Sequence, residues 1–399
     1  MAHGETRKQR IAQEISGSEL DALLCTLPEN VLLLSGYWPV VGTSAAVALP
    51  DGGCALLVPE DERELAGQGW ASEVRTYHPG SLANLKPVTE TIVAPLGDLL
   101  LDLGLSAARI GYEVAGIYEP SSYSATFLFQ GGVAGVLRDA APQAQTVSGA
   151  GSIARLRAAL TPDEVDRVRL ACAVAGATFT TAAREIREGR REPEVAAAFR
   201  GPMEEGGLAH QGAQRAGAFT WCMSGPNSAL AGAAFAMSRN RQLQPGDLVL
   251  LHCNSYIDGY WTDITRTFCL GAPDERQRAM YDAIFAARSA ALAAIRPGVP
   301  AAGVDRAARE VLEERGYGKF FTHGIGHSVG FSAISAEFPP RLHPASPDRL
   351  EAGMTFNIEP AIYIKEYGGI RHCDVVTVHD DGAEVLTDFQ SEMGELIAG

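Results

Sequence analysis

The sequence predicts an α/β (α+β) protein built from two consecutive domains, residues 1–150 and 151–399. Three observations carry that expectation. At 399 residues the chain exceeds one ordinary domain. Its first part alternates short apolar runs with turn residues and helical stretches. The second part sets long helical stretches around a β-hairpin and two late strands.

In the first part, residues 20–25, 31–35, 45–49 and 55–58 read as strands, punctuated by Pro28, the Pro50-Asp51-Gly52-Gly53 turn and Pro59. Residues 109–112 read as another strand. No cluster of His, Asp or Cys lies here, so the expected role is shape or partner contact. A Gly- and Ser-rich run, residues 147–152, marks the expected boundary. Thr161-Pro162-Asp163-Glu164 then supplies an N-cap, a proline at the first helical position and a glutamate placed for a capping box. It opens a helix expected to run to Gly189, and a second follows over 193–205.

Residues 246–268 hold two β-rich runs around Asp258-Gly259, a strong short-range hairpin signal. With those two as the turn, Ile257 pairs with Tyr260, Asn254 with Asp263 and His252 with Thr265. His252 and Asp263 then share a face as diagonal neighbours, about 7–8 Å apart at the backbone. Such a pair can hold a proton or a metal ion, or simply a structural hydrogen bond. Helices are expected from Pro273-Asp274-Glu275 to Pro297-Gly298 and over 304–315, closed by Gly316. His323-Gly324-Ile325-Gly326-His327 carries two glycines between its histidines, which argues for a loop that a ligand can approach closely. Residues 354–359 alternate as a strand that ends at Glu359-Pro360. Residues 369–378 read as one last strand with Arg371 and Cys373 on the same side and His372 on the other.

Bulk composition narrows the function classes. A net charge of −15 argues against nucleic acid as a partner. The seven cysteines form no C-x-x-C pair, which fits reduced thiols in the cytoplasm better than a disulfide framework. No window reaches the apolar length of a membrane span, so no membrane partner is expected.

Four blocks occur in order: Gly259-Tyr260-Trp261-Thr262-Asp263-Ile264-Thr265-Arg266-Thr267, His323-Gly324-Ile325-Gly326-His327, Ile358-Glu359-Pro360 and Gly369-Ile370-Arg371. Together they resemble metallopeptidase family M24 and its pita-bread fold. Leu20-Asp21-Ala22-Leu23-Leu24, followed by Pro28-Glu29-Asn30-Val31, looks like the creatinase/prolidase N-terminal domain. The resemblance spans the chain and points to the prolidase and aminopeptidase P branch. It implies short proline-containing peptides as substrates and a homodimer.

The resemblance also implies five metal ligands. Asp263, His327 and Glu359 match three of them. His252 stands where the family has its first Asp, and Cys373 where it has its second Glu. Both replacements are themselves ligand types, and they soften the site toward zinc. One Zn²⁺ per chain is therefore expected, on His252, Asp263 and Cys373, with Asp263, His327 and Glu359 as the rival set. In that reading zinc supplies an activated water, Glu359 is the general base, His323 steadies the intermediate or leaving group, and Arg371 forks onto a carboxylate. Two histidines associated with proline specificity are missing. Residues 229–237 offer Phe235 instead, and Ile334 stands seven residues after His327. Their absence implies a shifted specificity, which extends to release of residues from a carboxyl end. The alternative is a metal-free member of the fold that hydrolyses a non-peptide amide or only binds a partner.

Overall fold

The computed structural model describes residues 4–40, 43–80, 82, 86–114, 133–210, 212–232, 237–335 and 338–399. Contacts divide the chain into two compact units, Met1–Asp163 and Glu164–Gly399. Phe235 lies outside the described residues. Among the described residues no helix is long and apolar enough to cross a membrane.

The first unit is built on a six-stranded mixed sheet of β1 (Ala22–Cys25), β2 (Ala45–Ala48), β3 (Cys54–Pro59), β4 (Glu73–Tyr77), β5 (Arg109–Tyr112) and β6 (Gln145–Ser148). The strand order is β4-β3-β2-β1-β5-β6. Alternate residues Ala22, Leu24, Val47, Leu57 and Ile110 pack with Leu96 and Leu99 of the helix Val93–Asp102 and with Leu137 of the helix Val133–Ala140. Residues 31–35, expected as a strand, are instead the end of a helix, Pro28–Ser35. Pro28 sits in its first turn, Gly36 closes it at φ 72°, and Glu113 accepts the backbone N–H groups of Thr26 and Leu27 at its start. Its residues from Asn30 to Ser35 are all buried, and a short apolar run buried all round has no period to separate strand from helix. The expected boundary at residue 150 falls where β6 gives way directly to the helix Ala150–Ala158.

In the second unit the helices Pro162–Ala182 and Glu192–Leu208 precede β7 (Ala216–Ser224). The hairpin follows as β8 (Leu248–Ile257) and β9 (Tyr260–Leu270), with the expected pairs Ile257–Tyr260, Asn254–Asp263 and His252–Thr265 all present. Asp258 and Gly259 both take positive φ, 48° and 84°, as a two-residue primed turn requires. The Asp258 carboxylate also accepts the backbone N–H groups of Gln214 and Arg215, which ties the turn to the start of β7. The helices Glu275–Ala294, capped by Asp274, and Ala301–Glu314 come next. The last strands are β10 (Thr355–Ile358), β11 (Ala361–Ile364), β12 (Gly368–Arg371), β13 (Asp374–His379), β14 (Gly382–Val385) and β15 (Ile397–Ala398). They complete sheets of order β15-β9-β8-β7, β10-β13-β14 and β11-β12.

Residues 369–378 are therefore two strands, not one. β12 pairs with β11, whereas β13 pairs with β10, so the chain changes sheet at His372-Cys373. At that step Cys373 exchanges backbone hydrogen bonds with Thr265 of β9. The fully buried Arg266 fastens the junction, donating to the carbonyls of Cys373, Thr387 and Phe389 and to the Asp374 carboxylate. The switch brings the thiol of Cys373 to the hairpin.

Candidate metal centre

β9 carries Asp263 inward, where its carboxylate is the hub of the site. His252 Nδ1 lies 3.4 Å from Asp263 Oδ1, and His327 Nε2 lies 3.2 Å from Asp263 Oδ2. Glu359 Oε1 is 3.9 Å from His327 Nε2, and the Cys373 thiol donates to the Asp263 backbone carbonyl at 3.2 Å. Among the described residues, the donor atoms that all lie within 4.8 Å of one another are those of Asp263, Glu359 and Cys373. That trio differs from both sets weighed from the sequence. His252 is turned to Thr265 Oγ1 at 3.1 Å, stacks on Trp221 and stands outside the trio. His327 meets the same Asp263 carboxylate at its other oxygen.

Loop 323–328 reaches the site because it lies along β10. Asn357 N–H donates to the His327 carbonyl, and Glu359 N–H to that of Ile325. Gly326 is required here, since a Cβ would stand 1.9 Å from the Asn357 carbonyl oxygen. Asn357 also uses its side chain, which sequence reasoning passed over. Its Oδ1 accepts His327 N–H at 2.7 Å. Its Nδ2 faces Asp263 Oδ2 at 3.2 Å, His327 Nε2 at 3.0 Å and Cys373 Sγ at 3.5 Å.

Electrostatics divide the donors. Burial pushes His252 down to about 4 against the opposing pull of Asp263, so this imidazole is neutral near pH 7. Burial works against ionised Asp263 too, but His252, His327 and Arg371 outweigh it and leave the carboxyl below its usual range. His327 moves upward, its burial outweighed by Asp263 and Glu359. Burial, reinforced by Asp263 and Glu359, pushes the Cys373 thiol well up. A cation beside it would reverse that last shift, since the thiolate is the form that binds metal.

Beside the donors stands a second cluster. Arg371 Nε is 3.8 Å from Glu359 Oε2 and donates to Thr265 Oγ1, while Nη1 donates to Tyr363 Oη at 3.4 Å. Tyr363 Oη is 3.1 Å from His323 Nε2, and His323 Nδ1 is 2.7 Å from the Gly324 carbonyl. The carbonyl requires a proton on Nδ1, so neutral His323 accepts from Tyr363 and reaches the site through that phenol. Burial lowers His323 and raises Tyr363 to about 12. Tyr363 is a second residue that sequence reasoning missed. His372 does face away, 3.4 Å from Asp374 and edge-on to Phe285. Ile334 and the described part of 229–237 add no imidazole.

A mixed α/β unit followed by a largely antiparallel one, with carboxylate, thiol and imidazole donors gathered where its sheets meet, is the kind of arrangement a metal-dependent hydrolase uses. Residues 166–380 match metallopeptidase family M24, and residues 7–159 match the creatinase/prolidase N-terminal domain. The first match covers more than half of the chain, which therefore belongs to family M24. An Xaa-Pro dipeptidase of Pyrococcus horikoshii is 28% identical over 385 residues, 96% of this chain and 97% of that protein. An Xaa-Pro dipeptidase of Pyrococcus furiosus is 35% identical over 238 residues, 60% of this chain and 65% of that protein. The solved prolidase from P. horikoshii OT3 superposes with a TM-score of 0.77 at 26% identity, covering 98% of this chain and all of that one.

The family implies a divalent metal, and the residues present fit one ion. Asp263 Oδ1 is buried and has no hydrogen-bond partner, as an oxygen reserved for a cation would be. It belongs to the residue that shares the 4.8 Å grouping with a second carboxylate and a thiol. A second ion has less to hold it, because a neutral imidazole and a single thiol replace two carboxylates.

Proposed function

We propose that the protein is a zinc peptidase that cleaves short proline-containing peptides, with one Zn²⁺ per chain held by Asp263, Glu359 and Cys373. The observation that carries this reading is the meeting of those three donors within 4.8 Å in a chain of family M24. Xaa-Pro dipeptidases among its relatives support the substrate class. The thiol supports zinc over a harder ion. When bound, zinc supplies a Lewis acid and lowers the pKa of a water to near neutrality.

The chain's own residues do the rest. Glu359 takes the proton of the attacking water, and Arg371, 3.8 Å away, holds that carboxylate in place. Tyr363, fixed between His323 and Arg371, presents its phenol to the same space. His252 stays neutral, bonded to Thr265 Oγ1 and 3.4 Å from the Asp263 oxygen that His327 does not meet. Missing imidazoles at 334 and in the described part of 229–237 favour a specificity shifted from that of an ordinary prolidase, including release from the carboxyl end. Seven free, buried cysteines support a reducing, cytoplasmic setting, and a homodimer is the assembly proposed.

Elemental analysis of the purified protein, together with hydrolysis of proline peptides carrying free or blocked ends, tests the reading. About one zinc per chain and turnover abolished by chelation are expected. Two manganese ions would overturn the donor argument. A metal-free protein that still hydrolyses an amide would replace the peptidase by the metal-independent alternative.

A further inference from the structure

The registers of β7, β8 and β9 set three rows of residues on the sheet face that bears Asp263: Gly217, Tyr256 and Trp261; Phe219, Asn254 and Asp263; Trp221, His252 and Thr265. The opposite face meets the helices, since Thr220 Oγ1 donates to the Ala196 carbonyl, and Ala216 and Ile257 pack with Ala171 and Val174. Aromatic rings run in contact from the metal centre outward. His252 stacks on Trp221 at 5.7 Å between centroids, Trp221 on Phe219 at 6.2 Å and Phe219 on Trp261 at 6.2 Å, and Tyr256 closes on Trp261 at 4.6 Å. Phe219, Trp221, Tyr256 and Trp261 are all only half-buried. Asn254 sits at the centre of the grid. It is fully buried, and neither Oδ1 nor Nδ2 has a hydrogen-bond partner, although His252 is its neighbour on the strand. Phe219 and Trp261 belong to the strands on either side of β8, so rings that approach to 6.2 Å lean over Asn254 and cover it.

A buried amide with nothing to pair with is costly, and an apolar residue of the same size would carry no such cost. The unmade donor and acceptor lie directly across the strands from Asp263, whose Oδ1 is also unpartnered, and together they point to a ligand that carries both. An extended peptide residue is such a ligand. Its own N–H and C=O point the same way, and one primary amide can pair with both. We propose that this face is the subsite for the substrate residue that precedes the scissile bond. Asn254 pairs with that residue's N–H and C=O, and Trp221, Phe219 and Trp261 receive its side chain and select an aromatic one. This rests on the peptidase reading and adds its specificity. The carbonyl under attack belongs to this residue, so its side chain starts at the metal centre, where the row of rings begins with Trp221 on His252. An aromatic guest extends the row by the contact its rings already make with one another. Entry requires the half-buried rings to part over Asn254, which moves side chains and no strand.

Two measurements on the full chain test this with the dipeptides Phe-Pro and Ala-Pro: steady-state kinetics on the enzyme as purified, and calorimetric titration of the chelator-stripped chain, where binding is read without turnover. Phe-Pro is expected to exceed Ala-Pro about tenfold in kcat/KM and in affinity. Trp221→Leu and Trp261→Leu each reduce that ratio to about threefold or less. Asn254→Leu weakens both peptides alike, about tenfold and through KM, yet raises the thermal midpoint because the unpaired amide is gone. A purely structural Asn254 predicts the reverse, a lower midpoint with affinity unchanged. The subsite is overturned if both tryptophan variants keep the wild-type ratio, or if Asn254→Leu binds both peptides as the wild type does. A chain that cleaves neither peptide but binds them with this ratio removes the peptidase reading and supports the subsite. One that cleaves both without preference removes the subsite alone, and one that neither cleaves nor binds them removes both.

Discussion

Replacing Arg266 by methionine tests the joint on which the site depends. The guanidinium is fully buried and donates to four backbone carbonyls, those of Thr265, Cys373, Thr387 and Phe389, and to Asp374 Oδ1 at 2.8 Å. Methionine fills similar space but satisfies none of these acceptors. Asp374 keeps Arg288 and Thr387 Oγ1, so its charge is not stranded, and Thr265 O keeps Cys373 N–H. The carbonyls of Thr387, Phe389 and Cys373 are left poorer. Loss of one partner of a buried ion pair costs about 3–5 kcal/mol. The hydrogen bonds retained by Asp374 place Arg266→Met at the lower end, near 3 kcal/mol. Urea-dependent hydrogen exchange in peptides covering β9 and β13 reads this unit separately from the first. The expected result is a drop of roughly that size in the opening free energy there, with residues 22–112 unaffected. A loss below about 1 kcal/mol, the worth of one ordinary hydrogen bond, would refute the claim that Arg266 holds the sheet switch.

Four further outcomes follow from the same geometry. Asp374 is held well below the usual carboxylate range because Arg266, His372 and Arg288 outweigh its burial, so its stabilisation is whole above the unfolded pKa near 4 and drains away as pH falls toward the folded value. Acid unfolding monitored by circular dichroism is expected to begin below about pH 4, and Asp374→Asn to flatten that limb; an unchanged acid limb contradicts the assignment. Cys373→Ser should bring zinc to background with kcat, whereas a full zinc complement would make Cys373 a core thiol only. Tyr363→Phe removes the phenol between His323 and Arg371, and should lower kcat/KM while costing only about 1 kcal/mol of stability; equal kcat/KM would leave Tyr363 no part in turnover. The double variant His252→Asp with Cys373→Glu restores the family's carboxylates and should raise the metal content from one to two per chain, and a content fixed at one would show that these two positions do not set the number.

Local signals made the hairpin legible. Asp258-Gly259 demands positive φ at both positions, and that alone sets the register that delivers His252, Asn254 and Asp263 to one face. Family blocks point to His327 and Glu359, which the fold brings beside Asp263. What stayed hidden depends on contacts between distant strands. Residues 369–378 carry one unbroken β pattern, and nothing local announces that β12 and β13 belong to different sheets. Yet that switch decides that Cys373, rather than His252, completes a trio with Glu359. Asn357 was invisible for a chemical reason: a neutral amide in a strand reads as a polar-face residue until its Oδ1 is seen pinned by His327 N–H. The helix Pro28–Ser35 was misread because burial on every side erases the period that separates helix from strand.

The two departures from the family pattern are better understood together than singly. A carboxylate at 252 would add a negative charge beside Asp263, whereas a buried imidazole pushed down to about 4 adds none at neutral pH. Cys373 brings a charge only when a cation draws off its proton, because burial otherwise keeps the thiol protonated. With one divalent ion present, Asp263, Glu359 and a Cys373 thiolate carry three negative charges, and the ion with Arg371 carries three positive. A second dication would leave two positive charges uncompensated in a buried site, which is costly in low dielectric. The same count without any ion leaves the thiol neutral, and Arg371 and His327, whose pKa the two carboxylates raise, facing Asp263 and Glu359. The one-ion occupancy proposed above is thus the state in which His252 and Cys373, rather than two further carboxylates, set the negative charge facing the metal.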